Sequence, residues 1–241
     1  MLMDLKMSEF FTVERKLSSI VEENFKIVRI LKRFGIMPGF GEKSVKDVCA
    51  AYTISPQLFL TIANMTTFND YVPDIEYVKQ LPTLQLVNYL KASHSEFIIR
   101  DIPLVENSIN EIAASKDFSD SHSSVFVNFF KEYKSELLSH FDYEDRTVFP
   151  YISSITEGKS YPGYSIEKFE ENHTNIESKI SDLKNILLKY FPSVKPHPQL
   201  YDLIEKLYIL QAEFENHANL EDRILVPHVE YLELISKSEK R

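Results

Sequence analysis

The chain has 241 residues, 44 % of them hydrophobic and 26 % charged, with a net charge of −9. That length holds one ordinary domain plus a small second one, and the single cysteine, Cys49, excludes an intrachain disulfide, a thiolate zinc site and an iron–sulfur ligand set. The acidic balance argues against a nucleic-acid-binding surface spread over the whole protein, because phosphate affinity needs clustered Lys and Arg.

Glycine is scarce, with five residues, and β-turn signals are few, so the expected fold class is all-α. No basic segment followed by an apolar run opens the sequence, and no apolar run approaches ~18 residues. The expectation is a cytoplasmic protein that makes no use of a membrane.

Residues 8–34 read as one amphipathic helix, with Val13, Leu17, Val21, Phe25, Val28 and Leu31 at spacings of three or four. A turn follows, since Gly35, Gly39 and Gly41 crowd together beside Pro38. Ser44 caps a short helix through Tyr52, and after the break at Ile54-Ser55-Pro56 residues 56–65 form another. Tyr71-Val72-Pro73-Asp74, with Pro82 beyond it, reads as a linker. The expected organisation is a small helical N-terminal domain at 1–80 and a larger unit at 81–241.

Four long helical segments occupy the larger unit, at roughly 83–114, 122–155, 165–190 and 198–235. Short polar connections join them, which points to an antiparallel four-helix bundle. An internal repeat crosses this region. Residues 140–150 read HFDYEDRTVFP and residues 217–227 read HANLEDRILVP, so His, Glu, Asp, Arg and Pro recur at an offset of 77. At ~5 % usage per residue type, four matches after a shared His arise by chance on the order of once in 10⁵ comparisons. His94 and His173 stand 79 apart, nearly the same step. The bundle therefore reads as two related helical hairpins about an approximate two-fold axis.

The apolar stripes of these helices run into polar residues. On the last helix Leu203, Leu207, Leu210 and Phe214 lead to His217 and Glu221, then Ile224. On the second, Phe126, Phe130, Tyr133 and Leu137 lead to His140 and Glu144, then Val148. His173 continues Ile166 and Phe169, and His94 continues Val87 and Leu90. Burying imidazoles and carboxylates is costly without a compensating partner, and a divalent cation supplies one. His and Glu at i and i+4 lie one turn apart on one face, so one helix can give a nitrogen to one metal and a bridging carboxylate to a second. Four histidines and two glutamates then serve two ions with two nitrogens and two oxygens each, leaving room for a small ligand. Nitrogen and carboxylate donors without thiolate suit iron or manganese, and zinc less exclusively.

A lone His on an apolar face is usually a satisfied core residue. His122, His197 and His228, which fall off the stripes, are read in that way. Asp145-Arg146 and Asp222-Arg223 are read as salt-bridging pairs between hairpins, or else as partners that orient the ligands. Pro150 and Pro227 are expected to kink or end their helices and Pro103 to kink the first, and Cys49 to be a small buried hydrophobe.

The segment His94-Ser95-Glu96-Phe97 running to Ile102-Pro103, the two HxxxED segments and His173 together resemble the hemerythrin-like HHE cation-binding domain, over about residues 83–235. Arg33-Phe34-Gly35-Ile36 and the stretch GFGEKSVKDV at 39–48 resemble the small helical domain of the repair-of-iron-centres family. The resemblance implies a di-iron protein that helps restore iron–sulfur clusters damaged by nitric oxide or oxidants. By position it implies His94, His140, His173 and His217 as terminal ligands and Glu144 and Glu221 as bridges between two oxo- or hydroxo-bridged irons. It also implies oxygen or nitric oxide as a diatomic ligand and damaged iron–sulfur proteins as partners.

Two features depart from the family pattern. A Cys-Cys-Gly-Gly segment common in the small domain is replaced by Pro38-Gly39-Phe40-Gly41, and a frequent His pair is reduced to His94-Ser95. Oxygen-carrying hemerythrins typically show two histidines one turn apart on the third helix, where this chain has His173 and Glu177. An oxygen or nitric-oxide sensor or carrier is the alternative reading. Residues 1–80 carry ten basic and ten acidic residues, and residues 48–69 none at all, so DNA binding is not expected.

Overall fold

The computed structural model describes residues 10–115, 120–159, 161–172, 177–190 and 198–238. The fold is all-α, a hemerythrin-like helical bundle, with no strand among the described residues. The chain divides into two compact units. One gathers Met1–Ala92, Tyr151–Ile166 and Asn219–Arg241; the other gathers Ser93–Pro150 and Glu167–Ala218. Residues 81–92 thus cluster with the N-terminal helices.

The first unit begins with α1 (Leu17–Glu23) and α2 (Ile27–Arg33), not with one continuous helix. Residues 8 and 9 of the expected helix lie outside the described residues. Backbone bonds from Leu17 N–H to Lys43 O, Val45 N–H to Arg15 O and Lys46 N–H to Val13 O tie 13–17 to 43–46. That pairing keeps the entry to α1 out of helical geometry. Asn24 then breaks the run: it is extended (φ −144°, ψ 106°), its Oδ1 accepts the Lys26 N–H at 3.0 Å, and its Nδ2 donates to Thr67 Oγ1. Asn offers the backbone this local alternative to a helix. The break re-phases the stripe, so Ile20, Ile27 and Ile30 are buried while Phe25 and Val28 face solvent.

The chain leaves α2 through Gly35 at φ +70°, and the Ile36 N–H reaches back to Leu31 O at 2.8 Å, the six-to-one bond of a glycine-terminated helix. Ser44 caps α3 (Val45–Ala51) in a reciprocal pair with Asp47, and Ser55 caps α4 (Pro56–Thr67), with Pro56 in its first turn. Packing of α4 on α2 and α3 buries Leu58, Phe59 and Ile62, which explains the absence of charge at 48–69. Cys49 is buried there, and burial pushes its thiol up to about 11. It is chemically quiet, as expected.

The same unit holds α5 (Ile75–Val78), the first turns of α6 (Thr83–Glu96), most of α9 (Phe149–Thr156) and α13 (Val226–Ser238). His228 on α13 is buried and satisfied: Nδ1–H donates to Val78 O at 2.8 Å, and Nε2 accepts the Thr83 hydroxyl at 2.7 Å. It is the structural histidine that the sequence suggests. Burial lowers its pKa below the ordinary 6.5. A base depressed in the folded state is neutral in both states above 6.5, so its contribution is full there and is lost as pH falls towards the depressed value. His228→Ala should cost about 2–4 kcal/mol, by leaving two buried partners unsatisfied. Urea unfolding should show the variant losing less stability than wild type on acidification below 6.5.

In the second unit four helices share one apolar core. α7 (Ile102–Ala113) gives Val105, Ile109 and Ile112; α8 (Asp120–Tyr143) gives Phe126, Phe130, Tyr133, Leu137 and Phe141. α11 (Glu177–Tyr190) gives Ile180, Leu183 and Leu187, and α12 (Pro198–Leu220) gives Leu203, Leu207, Leu210 and Phe214. α10 (Ile166–Asn172) places Phe169 in the interior. The stripes read from the sequence are the buried ones. No helix among the described residues is long and apolar enough to cross a membrane.

Candidate metal centre

Three helices bear the candidate ligand residues that fall within the described regions, and each opens into a π-helical turn beside them. These turns are Phe97–Asp101 after α6, Glu144–Val148 after α8 and Glu221–Leu225 after α12. Each closes on an N–H five residues beyond its carbonyl: Ile102 to Phe97, Phe149 to Glu144 and Val226 to Glu221. A proline stands immediately after each of those donors: Pro103, Pro150 and Pro227. A proline ring has no N–H and collides with the carbonyl four residues back; one extra residue per turn moves that carbonyl aside. The prolines therefore distort their helices without ending them. α7, α9 and α13 run on through them.

His94, Glu144, His217 and Glu221 converge, each offering one ligand atom, with all four atoms within 4.8 Å of one another. All four residues are buried, the two glutamates completely. The His94 and His217 Nε2 atoms stand 3.1 Å apart. Glu144 directs its two oxygens at two different histidines: Oε2 lies 3.0 Å from His94 Nε2, and Oε1 lies 2.9 Å from His140 Nε2. His140 thus adjoins the cluster through Glu144. His173 lies outside the described residues, as do His197 and the side chain of His122.

Asp145 Oδ1 accepts the His94 Nδ1–H at 3.1 Å. That bond selects the tautomer whose Nε2 lone pair points into the cluster, as it does for metal-ligating histidines generally. Arg146 is paired with Asp142 on its own helix at 2.7 Å, so the first Asp-Arg pair is not the expected salt bridge between hairpins. Phe141 and Phe149, which no sequence pattern marked, both stack near-parallel to the His94 ring, at 4.3 and 5.5 Å between centroids.

With Nδ1–H committed to Asp145, His94 presents a lone pair to an imidazole nitrogen and a carboxylate oxygen together. A cation accepting those donors satisfies all of them at once. The residues present fit a metal-binding site of nitrogen and oxygen donors. Asp145→Ala should weaken metal binding by about 10–100-fold with the helical content unchanged. Competition against a chelator of known affinity, alongside far-UV circular dichroism, measures both.

Residues 86–229 match the model of the family described as hemerythrin HHE cation binding domain. The chain belongs to that family. Its buried His/Glu cluster falls inside the matched region. The chain is also similar to the iron-sulfur cluster repair protein ScdA of Staphylococcus haemolyticus. The two are 19 % identical over 150 residues, which is 61 % of this chain and 68 % of that protein.

Proposed function

We propose that this chain is a non-haem di-iron protein that acts in the repair of iron–sulfur clusters damaged by nitric oxide or oxidative stress. The observation that carries the two-metal reading is the split of Glu144, one oxygen towards His94 and the other towards His140. A carboxylate so placed would be able to serve two ions, one through each oxygen. On this reading the ligands are His94, His140, His173 and His217, with Glu144 and Glu221 as bridges. The iron-centre role follows the name of the similar repair protein together with a donor set that lacks thiolate.

Two bound irons would supply an electrophilic, redox-active centre for a small ligand such as nitric oxide or oxygen. The chain's own residues prepare the site for it. Asp145 holds the His94 tautomer, the buried Glu144 and Glu221 carry two negative charges that favour cations, and Phe97, Phe141 and Phe149 keep bulk water from the His94 side. A repair role further requires that iron, as cargo, can leave. Without the Cys-Cys segment of many relatives, this chain has only the buried Cys49 and carries out any such step without a reactive thiol.

Metal analysis of protein from iron-replete cells should give close to two irons per chain. One iron or none would overturn the two-metal reading. The protein should restore activity to a cluster enzyme inactivated by nitric oxide, and His140→Ala should abolish that effect. A stable, reversible oxygen adduct with no effect on damaged clusters would instead establish a carrier or sensor.

A further inference from the structure

α7 and α8 pack side by side within the second unit, and a groove of about 450 Å³ lies between them. That volume falls within the ~300–1,000 Å³ typical of small-molecule sites. On α8 the lining follows one helical face, from Val127 and Phe130 through Lys134 to Leu138. The floor is apolar. Ile109 and Phe130 are buried members of the bundle core, and Val127 and Leu138 are half-buried against that core. The lip is cationic. Lys134 Nζ donates to both oxygens of Glu106 on α7, at 2.8 and 2.7 Å, which neutralises that carboxylate and leaves the ammonium a third N–H. Lys131, one turn earlier on α8, is exposed and has no ion pair or side-chain hydrogen bond among the described residues. Asn110 and Ser135 add an amide and a hydroxyl that can also donate. Two lysines against one glutamate give the lining a surplus positive charge, on a chain whose net charge is −9.

We propose that this groove binds an aliphatic carboxylate, its chain lying on Val127, Phe130 and Leu138 and its head group held by Lys131 and Lys134. The chemistry of floor and lip together selects that class. An inorganic anion would leave the apolar floor in water, an uncharged hydrocarbon would make no use of the ammonium groups, and an amphipathic cation would meet a surplus of its own charge. Covering the floor supplies the driving force, and the charge-assisted hydrogen bonds to the lysines fix the orientation. No lining residue belongs to the His/Glu cluster, so the proposal stands apart from the metal reading.

The test is equilibrium dialysis of the full-length protein against radiolabelled decanoate, kept well below its micelle-forming range. Uptake should saturate at one equivalent and be displaced by unlabelled decanoate, but not by acetate or decyltrimethylammonium. Lys131→Glu should weaken binding by about 10-fold or more, the scale of a lost charge-assisted hydrogen bond. Val127→Asp, which sets a carboxylate on the floor, should abolish it; Leu138→Gln takes its place if circular dichroism shows that variant unfolded. Lys131→Arg should retain binding. Absence of saturable uptake would overturn the proposal, as would saturable uptake that either Lys131→Glu or a folded floor variant leaves unchanged. Displacement by acetate would reduce the groove to a simple anion site. Uptake of several equivalents, displaced equally by decyltrimethylammonium, would mark detergent-like partitioning, and either result would also overturn it.

Discussion

Removing the metal is expected to lower the Tm of this protein by roughly 8–16 °C. A ligand that binds only the folded state stabilises it by about 4 kcal/mol when present at ~1,000 times its dissociation constant. For chains of this size each kcal/mol moves the Tm by about 2–4 °C. The location of the site makes the full effect reachable. His94, Glu144, His217 and Glu221 are all buried, and they come from three different helices whose interior they share. The ion therefore joins elements far apart in sequence, and no unfolded chain holds such a site ready-made. Differential scanning calorimetry before and after exhaustive chelation, with iron added back as control, measures the shift. A metal-free protein that melts with the loaded one would place the site outside the cooperative core.

The stripes that carry the fold were legible because each helix of the bundle buries a long, regular face. Leu203, Leu207, Leu210 and Phe214 are buried as the spacing requires, and so are Phe126, Phe130, Tyr133 and Leu137. The N-terminal helices were harder to read. There a single Asn24 turn changes the phase, and periodicity alone cannot see a side chain that competes for backbone hydrogen bonds. The metal residues stood out because they interrupt apolar stripes twice, in a repeat. For Asp145 the sequence left two roles open, a salt bridge between hairpins or a partner that orients a ligand. Asp145 is adjacent to Glu144 in sequence, yet its partner is His94, fifty-one positions away. Sequence proximity suggested a salt bridge through Arg146, and the fold chose the imidazole. The π turns were also hidden, because prolines that normally break helices are here accommodated by one extra residue per turn.

The replacement of both buried carboxylates by their amides, Glu144→Gln with Glu221→Gln, should abolish metal binding and yet yield a protein more stable than metal-free wild type. In the wild-type chain without metal, two carboxylates with no solvent exposure share a small volume with two imidazoles. Taking a charge out of water costs several kcal/mol per ion unless a counter-charge meets it. The amide keeps the shape and one acceptor oxygen, removes the charge, and adds a donor that a neighbouring imidazole nitrogen can accept. The variant should hold no metal by elemental analysis, and its Tm should be insensitive to chelator. That Tm should fall between those of loaded and metal-free wild type. A structural role for the cluster predicts the opposite order. If Glu144 and Glu221 served as hydrogen-bond acceptors in a core that never meets metal, their amides would weaken those bonds, and the variant would melt below chelated wild type. The sign of that one difference in Tm separates a metal centre from a polar core.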